Sequence, residues 1–145
     1  MTTPTRSRVP VKPGFFTIPD DPTAGPQLIG SRCPACNEHF FPKRVVCAKC
    51  LHEGCAETLL SPRGTLYSFT WVHMPMFGST QLELMSGYGV GQVDLPEGPR
   101  VQFSLAGTQA DYKVGMPLAA ELMVLREEGS TDVMMYRFRP AGGAQ

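Results

Sequence analysis

Four of the five cysteines fall in one stretch, CPACNEHFFPKRVVCAKC (33–50), as the pairs Cys33–Cys36 and Cys47–Cys50 with ten residues between them. A Cys-x-x-Cys segment closes a tight turn that presents two sulfurs to one ion. Two such turns brought together by a hairpin supply the four soft ligands of a tetrahedral zinc site. Four thiolates also suit iron in a rubredoxin-like site, whereas a thioredoxin-type redox motif carries one pair, not two. A closed four-sulfur site has no position left for water, so its metal folds the polypeptide and performs no catalysis. Asn37 follows the first pair, where a left-handed residue is usual and Asn is tolerated. The second pair continues as Leu51-His52 and lacks that feature. Cys55 is spare and reads as a small buried residue, not a nucleophile.

The remaining candidates are few. With four cysteines present, neither His39 nor His52 is needed as a ligand, and His73 ends an apolar run beside Trp71. Lys43 and Arg44 sit between the cysteine pairs, where two cations suit a phosphate or an acidic surface. Gly87, Gly89 and Gly91 alternate along one run. Their spacing is not that of a phosphate-binding glycine loop, and it marks a strand that bends or is closely approached. MPMFGSTQLELM (74–85) is long, apolar and Met-rich, the composition of an adaptable contact surface. No Ser/His/Asp set, acidic pair or open metal site accompanies these residues, which points to a binding or scaffolding subunit.

The elements that must position the cysteines follow from composition. Lys plus Arg and Asp plus Glu number 13 each, so the chain lacks the cationic surplus of a general nucleic-acid binder. No run approaches the ~18 apolar residues of a membrane helix. No apolar segment follows the basic start, as a secretory signal would require. An odd cysteine count also speaks against a disulfide framework. Together these predict a cytoplasmic protein with reduced thiols. Residues 1–27 carry Pro4, Pro10, Pro13, Pro19, Pro22 and Pro26, a density that blocks helix and ladder pairing. They read as an extended arm, ordered only where it lies against something. Residues 28–60 form the cysteine module, 61–140 a second domain, and 141–145 a disordered tail.

From Ser61 on, short runs rich in Val, Tyr, Phe and Leu alternate with Gly and Pro, an all-β texture. Five strands are predicted, at 64–73, 86–95, 99–107, 117–126 and 132–140. In the first, Leu66, Ser68, Thr70 and Val72 alternate against Thr65, Tyr67, Phe69 and Trp71. PEGP (96–99) joins the second and third as a tight hairpin, and 127–132 joins the last two. Residues 109–115 leave room for one helical turn. Although Ala, Glu, Leu and Met favour helix, 117–126 reads as a strand because its neighbours need a closing partner. This order is that of a five-stranded OB-fold barrel.

A zinc ribbon followed directly by an OB barrel resembles the zinc-ribbon/OB-fold family of thiolase-associated, acyl-CoA-associated accessory proteins. RCPACNEHFFPKRVVCAKC, GTLYSFTWVH, GYGVGQVDLPEGPRV and KVGMPLAAEL carry the resemblance, over most of residues 32–122. It implies an all-β protein with a rubredoxin-like ribbon before the barrel and one structural Zn2+ on Cys33, Cys36, Cys47 and Cys50. The expected partner is a thiolase or a thiolase-like aldolase or condensing enzyme acting on acyl-CoA. That partner supplies the catalytic residues; this chain stabilises it and shapes its acyl-CoA entrance. The family usually has a helix before the ribbon, where this chain has its proline-rich arm. Lys43 and Arg44 are the expected contacts to coenzyme A phosphates. The arm and the Met-rich loop are the expected docking surfaces. The alternatives are a single-stranded nucleic-acid-binding ribbon/OB protein, for which neutral charge and few aromatics are unfavourable, and a stand-alone acyl-CoA-binding or redox module.

Overall fold

A computed structural model describes residues 6–21, 24–80 and 87–141. In chain order the strands are β1 (Ser7–Pro10), β2 (Ile29–Arg32), β3 (His39–Phe40), β4 (Ala56–Leu59), β5 (Arg63–Val72), β6 (Tyr88–Asp94), β7 (Arg100–Leu105), β8 (Pro117–Glu128) and β9 (Thr131–Pro140). Among the described residues no helix is long and apolar enough to cross a membrane. Ser86, the 81–85 part of the Met-rich loop and residues 142–145 of the expected tail lie outside the described residues.

Strands β5 to β9 close on themselves. β5 pairs with β6, β6 with β7, β7 with β9, β9 with β8 and β8 with β5. Only the β7–β9 contact among these is parallel. Closure of this kind removes sheet edges, and it is the five-stranded barrel expected from the strand count. The PEGP segment makes the β6–β7 hairpin: the Gly98 amide donates to the Leu95 carbonyl at 3.0 Å, and Gly98 takes φ +125°. Pro117–Glu128 is a strand despite its helical composition, because it pairs with β9 along nearly its whole length. Tertiary pairing overrides propensity.

The alternation in β5 breaks where sequence alone gives no warning. Leu66 points inward, but so do Phe69 and Trp71 from the opposite set, and Tyr67 is exposed. The register slips between Leu66 and Ser68. A β-bulge inserts one extra residue and so reverses which side chains face the core beyond it. Trp71 then lies across Gly89, where any Cβ would collide with its ring. This is the close approach that the alternating glycines of β6 predict. A 3-10 turn (Gln109–Asp111) covers that end of the barrel. Its Asp111 accepts from the Thr108 amide at 2.8 Å, and the following Tyr112 sets its ring about 6.0 Å from Phe69 and 6.1 Å from Trp71.

Over its described residues the proline-rich arm pairs with the barrel; Pro4 and Pro22 lie outside them. β1 runs parallel to β9, with Ser7 opposite Thr131 and Pro10 opposite Met134. Pro10 is tolerated because it ends an edge strand, where a missing donor costs least. Beyond it, Phe16 is 4 % exposed and packs edge-on against Tyr136 at 5.0 Å. Phe16 also bridges to Leu28 at the entrance to the ribbon. The described part of the arm is thus ordered against its own chain.

Candidate metal centre

The cysteine module is a three-stranded sheet in the order β3-β2-β4 with two turns at its end. The turns are built alike. In the first, the Asn37 amide donates to the Cys33 carbonyl at 2.8 Å and the Cys33 amide to the Glu38 carbonyl at 2.9 Å. In the second, the Leu51 amide donates to the Cys47 carbonyl at 3.0 Å and the Cys47 amide to the His52 carbonyl at 2.9 Å. Asn37 (φ +66°) and Leu51 (φ +65°) are both left-handed, so the second turn has the feature its sequence lacks. Hydrogen bonding imposes it against the preference of a leucine. The left-handed region costs an ordinary residue roughly 1–2 kcal/mol, and Leu51 is 74 % exposed, so packing returns little. Leu51→Asn should therefore raise the denaturant midpoint by an amount equivalent to about 1 kcal/mol with metal content unchanged. An unshifted midpoint would show that the turn is unstrained.

The four sulfurs of Cys33, Cys36, Cys47 and Cys50 all lie within 4.8 Å of one another. The cross-turn separations Cys33–Cys50 and Cys36–Cys47 are both 3.6 Å. Zinc–sulfur bonds of about 2.3 Å in a tetrahedron put sulfurs about 3.8 Å apart, so the set fits a divalent ion. The electrostatics agree. Burial pushes the Cys33 thiol up, but the amides of Cys36 and Ala35 and the adjacent sulfurs outweigh it and bring it down to about 6. At Cys36 the Glu38 amide acts downward, yet burial and the neighbouring sulfurs push the thiol up to about 12. Cys47 is likewise lowered and Cys50 raised. Each turn has one thiol lowered and one raised, the latter by burial and then by the neighbouring sulfurs. Four thiolates at this spacing need a cation among them. The Cys47 sulfur accepts from the amides of Lys49 and Cys50, both at 3.3 Å. Lys49 also reaches Glu38 at 3.2 Å, tying the second turn to the first.

Among the described residues the metal-capable group contains only these four cysteines. His39, His52 and the exposed His73 stay outside it. Cys55 is half-buried nearby, its thiol raised by burial and then by Cys33 and Cys47. Lys43 pairs with Glu57 at 2.7 Å. The Arg44 guanidinium lies 5.5 Å from the centre of the Phe40 ring, and its Nε donates to the Val46 carbonyl at 3.1 Å. Both cations are exposed. The segment before them is docked, not free. Phe41 contacts Phe15 at 5.6 Å and Phe103 at 6.0 Å, and the Arg44 amide donates at 2.9 Å to the hydroxyl of the buried Ser31. Glu97, within the PEGP turn, accepts from the Ser61 amide at 2.9 Å and secures the junction from the barrel side. Sequence reading missed Ser31, Phe41 and Glu97 because their roles rest on contacts distant along the chain.

With this geometry in place, known proteins offer a comparison. A family model described as the ChsH2 rubredoxin-like zinc ribbon domain matches residues 24–54, and the ChsH2 C-terminal OB-fold domain matches residues 57–122. A DUF35 domain-containing scaffold protein of Methanothermobacter thermautotrophicus is 31 % identical over 114 residues, covering 77 % of this chain and 84 % of that one. The chain belongs to the ChsH2 (DUF35) family. Another relative, the benzoylsuccinyl-CoA thiolase subunit BbsA of Thauera aromatica, is 30 % identical over 128 residues, covering 88 % of this chain and 85 % of BbsA. Among solved structures, the Ltp2-ChsH2(DUF35) aldolase matches with a TM-score of 0.63 and 25 % identity, over 79 % of this chain and 85 % of that one. The ChsH2 ribbon match and the clustered cysteines together support a structural zinc.

Proposed function

We propose that this chain is a non-catalytic subunit of an acyl-CoA thiolase or thiolase-like aldolase complex, with one zinc held by Cys33, Cys36, Cys47 and Cys50. The observation that carries the reading is similarity over 128 residues to a thiolase subunit, in a chain whose metal site is closed. Four sulfurs around one ion leave no position for a reacting water. The chemistry then belongs to the partner, and this chain stabilises it and shapes its acyl-CoA entrance. The surface offered to the partner includes Met74 and Phe77, 55 % and 85 % exposed on the segment after β5. Exposed apolar groups of this kind mark contact surfaces. The purified chain alone should show no thiolysis or aldol cleavage, and should co-elute with a thiolase-like partner that gains activity on mixing. Turnover by the lone chain, or separate elution, would overturn the assignment.

Lys43 and Arg44 are the proposed contacts to the phosphates of coenzyme A. The Lys43–Glu57 pair is solvent-exposed and so worth only ~0–1 kcal/mol, little enough to exchange for a phosphate. Charge-assisted hydrogen bonds contribute ~1.5–3 kcal/mol each. Replacing both residues by alanine should raise the KM of the complex for acyl-CoA by tenfold or more, on the order set by those energies, with kcat nearly intact. An unchanged KM would remove these residues from the entrance.

A further inference from the structure

A cavity of about 400 Å3 lies where the arm folds back over β8 and β9. Gly25 comes so close to β8 that a Cβ there would stand 3.0 Å from the Ala120 carbonyl. The arm therefore closes the edge of β8 at Ala120, and the cavity opens beside the next positions along that edge. Pro19 and Ala24 of the arm, Leu122 of β8 and Met134 of β9 supply its apolar lining. Its charged side chains are Arg8, Asp21, Glu121 and Arg139.

These charges do not cancel. The Glu121 carboxylate takes Arg137 at 2.7 Å and Arg139 at 3.3 Å. Asp21 is not free either. Asp132, opposite Arg8 in the ladder, is held by Arg6 at 2.6 Å. Arg8 donates from Nη2 to the Pro19 carbonyl at 3.0 Å and makes no ion pair among the described residues. Arg6, Arg8, Arg137 and Arg139 are thus set against Asp21, Glu121 and Asp132, and the positive charge left over sits on Arg8. A guanidinium carries five N–H donors in a fork that fits a carboxylate. The bond to Pro19 anchors this one and leaves other donors for a ligand.

The backbone adds a donor and an acceptor. β5 pairs with β8 only from Pro117 to Ala119. The Ala120 amide donates to the Pro62 carbonyl at 2.7 Å, on the side of β8 away from β9. Backbone groups two residues apart in a strand point the same way, so Leu122 also turns its N–H and C=O away from β9, toward the cavity that it lines. Neither group has a partner among the described residues. An unpaired strand edge is a template for one more extended backbone unit.

We infer that this cavity binds an acylated α-amino acid with an aliphatic side chain. The ligand's amide pairs with the N–H and C=O of Leu122 as an added strand would. Its carboxylate meets Arg8, and its side chain lies against Met134 and Ala24. A free N-acyl amino acid and the C-terminal residue of a peptide share this chemistry. The site is separate from the metal centre and does not depend on the proposed partner.

The test uses the full zinc-loaded chain, isotope-labelled at its leucine amides, with the Leu122 signal assigned through Leu122→Met. N-acetylleucine should shift the Leu122 amide saturably and leave that of Leu51, bonded to the Cys47 carbonyl, in place. N-acetylleucinamide lacks the charge, and N-acetyl-N-methylleucine lacks the amide hydrogen. Each should bind about three- to tenfold more weakly than N-acetylleucine. Arg8→Gln should weaken N-acetylleucine by about the same factor and leave N-acetylleucinamide unchanged. Its melting temperature should hold, since Arg8 is exposed. Acetyl-alanyl-alanyl-leucine separates the two sources. Tighter binding than N-acetylleucine identifies a peptide end, and equal or weaker binding identifies the free acylamino acid. Absence of a saturable shift at Leu122 would overturn the proposal. So would an equal shift at Leu51, or an Arg8→Gln chain that binds N-acetylleucine like the parent.

Discussion

Removing the metal should unfold residues 29–59 while the barrel keeps its strand pairing. The ribbon sheet is small: β3 has two residues and pairs only with β2. The large apolar groups nearest to it, Leu28, Leu60 and Phe41, pack into the barrel core and not into a core of the ribbon. A unit of about 30 residues without a core depends on its metal. Structural zinc contributes ~10–16 kcal/mol in finger peptides, which makes this the largest single effect expected. Within the set, Cys33 and Cys47 are fully buried and Cys50 is exposed. Cys47→Ser should accordingly be more damaging than Cys50→Ser. Elemental analysis should give one zinc per chain. Amide exchange after chelation should show ribbon protection lost and β5–β9 protection retained. A Cys47→Ser chain with full zinc, or iron in the native protein, would contradict this.

Phe16→Ala should cost about 3–5 kcal/mol, the usual penalty for emptying a buried phenylalanine site. For a domain of this size that lowers Tm by roughly 15–30 °C. The reason is position. Phe16 is 4 % exposed against Tyr136 and links arm, ribbon entrance and barrel. Val9, 41 % exposed on the neighbouring β1, is the control, and Val9→Thr should change Tm little. This alters the expectation for the arm. Read as a docking surface, deletion of residues 1–27 weakens assembly alone. In the structure the same deletion removes β1 and Phe16 and should destabilise the barrel itself. Thermal unfolding of the isolated variants decides between the two.

The cysteine spacing and the strand periodicity were legible because both are local. Cys33 to Cys50 span one hairpin, and the strands expected at 99–107 and 132–140 are short runs bounded by turn residues, which a short window captures. The PEGP hairpin was readable for the same reason. What escaped depends on partners far along the chain. The slip at Tyr67 has no composition of its own. It appears only when β6 is laid beside β5 and Trp71 has to rest on Gly89. Leu51 is left-handed because the hydrogen bonds of its turn require it, and leucine there carries no warning. Pairing of the arm escaped because its proline density argues against a ladder, and its partner strand β9 lies more than 100 residues away. The tethering of Phe41 to Phe15 and Phe103 was hidden for a like reason.

The pairing of β1 with β9 also sets a timetable for the nascent chain. Arg6 and Asp132, joined at 2.6 Å beside that ladder, are 126 residues apart. At about 5–20 residues per second, the ribosome needs roughly 6–25 s to make β9 after β1. Until then Phe16 has no Tyr136 to cover it, and the barrel cannot close. The ribbon, whose four sulfurs all precede residue 51, can capture its zinc well before that moment. Synthesis thus delivers a metal-stapled module first and a barrel last. In the interval the face of Phe16 that Tyr136 will cover is in the open, within reach of chaperones.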